Sequence, residues 1–184
     1  MVKLFTDRLI IRDPVFSDLQ NHHELISNNN VMRYTQKMKP DSIEDSKQEL
    51  LKAIEEAKLV DRKLYTLIIE NKITNEFIGE IGYKVSQDTP YGKLINLGYL
   101  IKEEYWNNGY TTEALRHLIK YAFEENNVYR ISTGCIKENI GSEKVMIKGG
   151  LKKEAELREY VFHEGKLKDW VDYGLLKKEW KEYY

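Results

Sequence analysis

Residues 98–115, GYLIKEEYWNNGYTTEAL, hold the densest set of groups that could do chemistry. An apolar, strand-like run enters a turn containing Asn107, Asn108 and Gly109, then passes directly into an amphipathic segment opening with Tyr110, Thr111 and Thr112. A helix starting there leaves its first four amides without intrahelical partners, and its dipole adds roughly half a positive charge at that end. Gly109 lets a bulky anion approach the backbone, and Thr111 and Thr112 offer hydroxyl donors. No Lys followed by Ser or Thr closes a glycine loop, which excludes a P-loop. The second and third glycines of a dinucleotide fingerprint are also missing. The residues alone leave two readings open: a phosphate cradle, or a plain helix start where Asn and Thr act as caps.

The elements that would position this turn are legible from periodicity. Leu9–Arg12 reads as a first strand, stopped by Pro14. Residues 15–27 carry a weak helical pattern ending in Asn28-Asn29-Asn30. Pro40-Asp41-Ser42 opens a second helix, with Ile43, Leu50, Leu51, Ile54 and Ala57 on one side. Strands follow at 65–70, 77–85 and 94–101, spaced as an antiparallel meander. The helix at 109–125 has a stripe of Ala114, Leu115, Leu118, Ile119, Ala122 and Phe123. A strand at 129–136, a short helix at 140–148 closed by Gly149-Gly150, and strands near 151–161 and 168–176 complete the series. The tail at 177–184 is expected at the surface or an edge. Runs of strands around one strand–helix–strand crossover predict an α/β (α+β) fold: a mixed, mostly antiparallel sheet flanked by helices.

Composition bounds the function. With 184 residues, the chain suits one domain, 1–184, with one core. A net charge of −1 supplies no field to recruit nucleic acid or an anionic membrane. The opening MVKLFTDRLIIRD lacks the pattern of a signal peptide, and no run approaches the ~20 apolar residues of a membrane span. The single cysteine, Cys135, forms no internal disulfide, in keeping with a cytoplasmic location.

The stretch YWNNGYTTEAL resembles the acetyl-CoA pyrophosphate loop of the GNAT superfamily of N-acetyltransferases. It is most similar to the ribosomal-protein-alanine (RimJ/RimL-like) branch, whose pattern runs Tyr-Trp-Gly-x-Gly-Tyr-Ala-Thr-Glu-Ala. Tyr105, Trp106, Gly109, Tyr110, Thr112, Glu113 and Ala114 match; Asn107 replaces the first glycine and Thr111 the alanine. TDRLIIRD (6–13), VMRY (31–34) and FIGEIGY (77–83) resemble further family segments in the same order. So do Asn139, Ser142, Lys148, Gly150 and Leu151, and the match runs over about 6–176.

The resemblance implies a GNAT domain in which acetyl-CoA lies between two splayed parallel strands, here 98–101 and 129–136. It implies main-chain contacts from Leu100 and Ile101 to pantetheine, pyrophosphate at Asn107, Asn108, Gly109, Tyr110, Thr111 and Thr112, and a bond from Asn139. Asn139 is also a candidate N-cap. The activity implied is transfer of acetyl from acetyl-CoA to a primary amine, such as a protein N-terminus, polyamine, aminoglycoside or amino sugar. Many relatives carry Glu where this chain has Asn96, which cannot act as a base but could orient a water. The superfamily's tyrosine acid falls at Met146, so Ser142 is the candidate to protonate the leaving thiolate, or else a local cap. Glu80 is the leading base candidate, with a solvated strand position as the plainer reading; Glu159 is the second. Asn96 and Met146 also keep open a non-catalytic acyl-CoA-binding module. His22 and His23 are adjacent and diverge on a helix, so no metal site is expected. Cys135 is expected as a small buried hydrophobe, Tyr34 as core, and the chain as a monomer or homodimer.

Overall fold

The computed structural model of the chain describes residues 1–181; Tyr183 and Tyr184 of the aromatic tail lie outside them. The elements are β1 (Lys3–Phe5), β2 (Leu9–Arg12), α1 (Leu19–Ser27), α2 (Ile43–Glu56), β3 (Leu64–Asn71), β4 (Phe77–Thr89) and β5 (Gly92–Ile101). They continue with α3 (Tyr110–Glu124), β6 (Val128–Ile136), α4 (Ile140–Lys148), β7 (Lys152–His163), β8 (Lys166–Leu176) and α5 (Lys177–Lys181). The strand order is β1-β2-β3-β4-β5-β6-β8-β7. The β5–β6 pair is parallel, as a strand–α3–strand crossover requires. The pairs β1–β2, β2–β3, β3–β4, β6–β8 and β7–β8 are antiparallel. The mixed α/β class expected from the sequence is the one observed.

Differences from expectation are local. Lys3–Phe5 adds a short strand against β2, closed by a turn in which the Thr6 amide bonds Leu9 O at 3.0 Å. The helix expected over 15–27 begins as a separate 3-10 turn at Phe16–Asp18, because the Asp18 carboxylate accepts the Val15 amide at 2.8 Å and tightens the entry. The tail is not at the surface throughout: Trp180 is 8% exposed and its ring packs 5.6 Å from that of Phe123.

The chain packs as two compact units, Met1–Lys84 with Gly98–His117, and Val85–Leu97 with Leu118–Tyr184. Their boundaries fall inside β4, β5 and α3 rather than in linkers. In the first unit α1 packs on α2 and α2 on β3. Leu25, Ile26 and Met32 close on Ile68 and Phe77, with Val31 and Leu100 packed alongside. Ser42 caps α2, its hydroxyl accepting the Asp45 amide at 3.2 Å. In the second unit, β8 alternates as a half-covered strand should, burying Val171, Tyr173 and Leu175. There α4 rests on β6 and β7, and α5 on β8 and β6.

The first unit also buries charge. Arg62 Nη1 meets Asp13 Oδ1 at 2.6 Å, with both side chains almost fully covered. Arg62 Nε donates to Leu64 O at 2.7 Å, and its guanidinium lies 4.3 Å from the Tyr65 ring. The Val2 amide takes the other Asp13 oxygen at 2.6 Å. Removing one partner of such a pair leaves an uncompensated buried charge. Asp13→Ala should therefore cost about 3–5 kcal/mol in urea unfolding, and Asp13→Ala with Arg62→Met should recover much of it.

Candidate active site

The turn before α3 is built for open amides. Asn107 has φ +63° and Gly109 φ +79°, both left-handed. Glycine takes that conformation freely and Asn is among the few other residues that visit it, so Asn107 can stand where a glycine is usual. Trp106 Nε1 donates to Ile101 O at 2.9 Å, and Asn108 Nδ2 to Trp106 O at 3.1 Å, folding the turn back on the end of β5. The first α-helical bond runs from Glu113 N to Gly109 O at 3.1 Å. The amides of 110–112 precede it and have no acceptor within the helix. The expected group of Asn107, Asn108, Gly109, Tyr110, Thr111 and Thr112 is thus gathered on one turn. Of the two strand residues, Ile101 is buried with its carbonyl engaged by Trp106, and Leu100 is half-buried on the α1 core.

A residue that sequence reasoning passed over, Arg8, lies against this turn. Its Nε donates to Glu113 Oε2 at 2.7 Å, its Nη1 to Asn108 O at 3.1 Å, and its guanidinium stacks 4.4 Å from the Tyr110 ring. The Arg8 amide and Thr6 Oγ1 both donate to Glu113 Oε1, at 3.0 and 2.5 Å. Burial pushes the Glu113 carboxyl up, but the bonds from Thr6 and Arg8 and the Arg8 charge outweigh it and hold the pKa below the usual value. The stretch TDRL read only as the lead-in to a strand; nothing in its spacing pointed to Glu113.

Glu80 is not the solvated strand residue that was the plainer expectation. It is 7% exposed and lies against α1, where His22 Nδ1 donates to its Oε1 at 2.6 Å. Both faces of this part of β4 are covered, so alternation does not expose it. His22 is 5% exposed, and its Nε2 is buried with no partner among the described residues. Burial lowers the imidazole pKa, but the Glu80 hydrogen bond and the charges of Glu80, Glu49 and Asp18 raise it above the ordinary value. His23 turns away to Ser46 Oγ at 2.8 Å, so the adjacent histidines diverge. Tyr34 is half-buried, with Arg33 5.5 Å over its ring.

In the second unit, Asn139 is the N-cap of α4, its Oδ1 accepting the Ser142 amide at 3.2 Å. Ser142 is half-buried in the first turn. Its hydroxyl lies beside Cys135, whose thiol burial pushes up to about 11 while the Ser142 bond pulls the other way. Met146 is fully buried. Tyr173, another residue that sequence reasoning did not single out, donates its hydroxyl to Glu143 Oε1 at 2.8 Å. Burial first, then Glu143, pushes the Tyr173 pKa up to about 12. Asn96 is exposed and sits opposite Ser132 at the last residue pair of the parallel ladder. Thr133 Oγ1 closes that ladder by donating to Leu97 O at 2.9 Å. Glu159 is exposed at a bulge in β7, with φ +52° and its amide bonded to Asp169 Oδ1 at 3.0 Å; it shapes the strand.

Among the described residues no group of three or more His, Cys, Asp or Glu could hold a metal ion, and no helix is long and apolar enough to cross a membrane. Residues 8–152 match the family described as Acetyltransferase (GNAT) domain. The chain is 30% identical over 176 residues to the uncharacterized N-acetyltransferase YoaA of Bacillus subtilis, covering 95% of this chain and 96% of that one. The fold is shared with the ribosomal-protein-S5-alanine acetyltransferase from Vibrio fischeri (TM-score 0.82, 22% identity, 98% of this chain and 99% of that chain). It is shared as well with the spermidine N-acetyltransferase from Vibrio cholerae solved with CoA and spermine (TM-score 0.82, 19% identity, 96% and 99%). With a family match over most of its length and a relative aligned nearly end to end, the chain belongs to the acetyltransferase (GNAT) family.

Proposed function

We propose that the chain is a single-domain N-acetyltransferase that takes acetyl from acetyl-CoA and passes it to a primary amine. The observation that carries this is the turn before α3, where left-handed Asn107 and Gly109 precede amides that have no acceptor within the helix. Such a turn suits a pyrophosphate through charge and geometry together. The acceptor is a protein N-terminus or a small polyamine, in line with the alanine acetyltransferase and the spermine-bound enzyme that share the fold. A lone cysteine, with no internal disulfide to form, fits a cytoplasmic enzyme, which would work as a monomer or homodimer.

In the proposed reaction the amine nitrogen attacks the thioester carbonyl, the C–N bond forms and the C–S bond breaks. Glu80 takes the amine proton, Asn96 orients a water, and the Ser142 hydroxyl donates a hydrogen bond to the departing thiolate, which takes its proton from solvent water. His22 holds the Glu80 carboxylate in place.

Saturating acetyl-CoA should raise the melting temperature where adenosine does not, with about 2.7 kcal/mol of added stability at a hundred times Kd. Gly109→Val puts a β-branched residue at positive φ and should weaken acetyl-CoA binding about tenfold or more. No melting shift, or unchanged affinity in the variant, would refute the loop assignment. Glu80→Gln should lower kcat about a hundredfold or more while leaving acetyl-CoA affinity unchanged; an unaltered kcat removes Glu80 as base. His22, whose folded pKa is raised, stabilises most below its unfolded value of about 6.5 and loses that contribution as pH rises through the folded value. The melting advantage of the natural chain over His22→Gln should therefore shrink from pH 6 toward pH 9.

A further inference from the structure

A loop that presents amides to an anion must turn its carbonyls elsewhere. In a trans peptide the C=O and the following N–H point in opposite directions. Arg8 Nη1 holds the Asn108 carbonyl at 3.1 Å, and this turns the Gly109 amide to the opposite side, away from the guanidinium. The same guanidinium covers Tyr110 at 4.4 Å and approaches Gly109 closely enough that a Cβ there would lie 3.6 Å from Nη2. It touches Asn108 and Tyr110, the residues on either side of Gly109.

Glu113 poses a second problem for anion binding. Its carboxylate lies in the first turn of α3, where its negative charge opposes an incoming phosphate. Arg8 meets it with Nε and Nη2, each at 2.7 Å from Oε2, while Thr6 and the Arg8 amide take Oε1. The carboxylate is thereby neutralised and becomes the anchor that fixes Arg8. The anchor is largely covered, at 16% side-chain exposure, whereas Arg8 remains 46% exposed.

We infer that Arg8 is a positioning residue for the anion-binding turn: anchored on Glu113, it orients the 108–109 peptide and cancels the one carboxylate in the first turn of α3. The inference rests on the acyl-CoA reading above. A lysine cannot replace Arg8, because one ammonium lacks the planar fork needed to reach Glu113 and Asn108 while stacking on Tyr110.

The test compares acetyl-CoA with acetyl-pantetheine, which carries the same thioester without the pyrophosphate, on the full chain. Arg8→Gln and Arg8→Lys should raise Kd for acetyl-CoA by about tenfold to a hundredfold, the loss of charge-assisted hydrogen bonds. Both should leave kcat, the KM of the amine and the affinity for acetyl-pantetheine unchanged. If the natural chain does not bind acetyl-CoA, the acyltransferase reading fails and this inference falls with it. If the natural chain binds and both variants bind within about twofold of it, the function stands and the role of Arg8 is overturned. Equal losses for acetyl-pantetheine would likewise overturn it, since Arg8 would then be holding the fold rather than the turn. Should Arg8→Gln fail to fold, the charge-retaining Arg8→Lys is read by the same comparison.

Discussion

Every α-helix begins with amides it cannot satisfy, and the rest of this site depends on where α3 leaves its own. Because α3 follows β5 through a turn of a few residues, those amides emerge just past Ile101, the buried last residue of that strand. Left-handed backbone at Asn107 and Gly109 lets the chain reverse there without covering them. Ala114, Leu115 and Leu118 fix the helix by burying its apolar stripe, so its start cannot drift.

The first unit buries several charged groups in pairs, although His22 Nε2 and Arg62 Nη2 find no partner among the described residues. Arg12 bridges Asp18 and Glu70, and both bonds raise its pKa against the cost of burial. Asp13 and Arg62 form a second pair, and His22 with Glu80 a third. The ion pairs of the second unit, such as Lys137 with Glu156 and Lys152 with Glu179, lie at the surface and contribute little. Polar groups locked in a low-dielectric setting define orientation more than they add stability, which suits a region asked to hold a carboxylate at a set angle.

Legibility of the sequence followed contact range. The turn at 106–113 and the α4 cap at Asn139 are made by neighbours in the chain, so residue types and spacing disclosed both. The meander and the crossover were legible because period-two and period-3.6 patterns are local too. Glu80 and His22 are 58 residues apart, and Arg8 and Glu113 105 apart; no periodicity links them. Burial on both faces of β4 also erased the alternation that would have told a paired carboxylate from a solvated one. The short β1 escaped because a three-residue strand carries too little pattern to register.

The bulge in β7 bears on how copies of this chain meet. β7 is the last strand in the sheet order, so among the described residues no further strand covers its outer edge. Glu159 at φ +52° accepts a local strain of about 1–2 kcal/mol to break the register between Leu157 and Val161. Lys152, Lys153, Glu154 and Glu156 add charge along the same strand. A bent, charged border offers no uninterrupted ladder for another strand to extend, so the cost of one awkward residue guards the exposed edge against runaway sheet growth at high concentration.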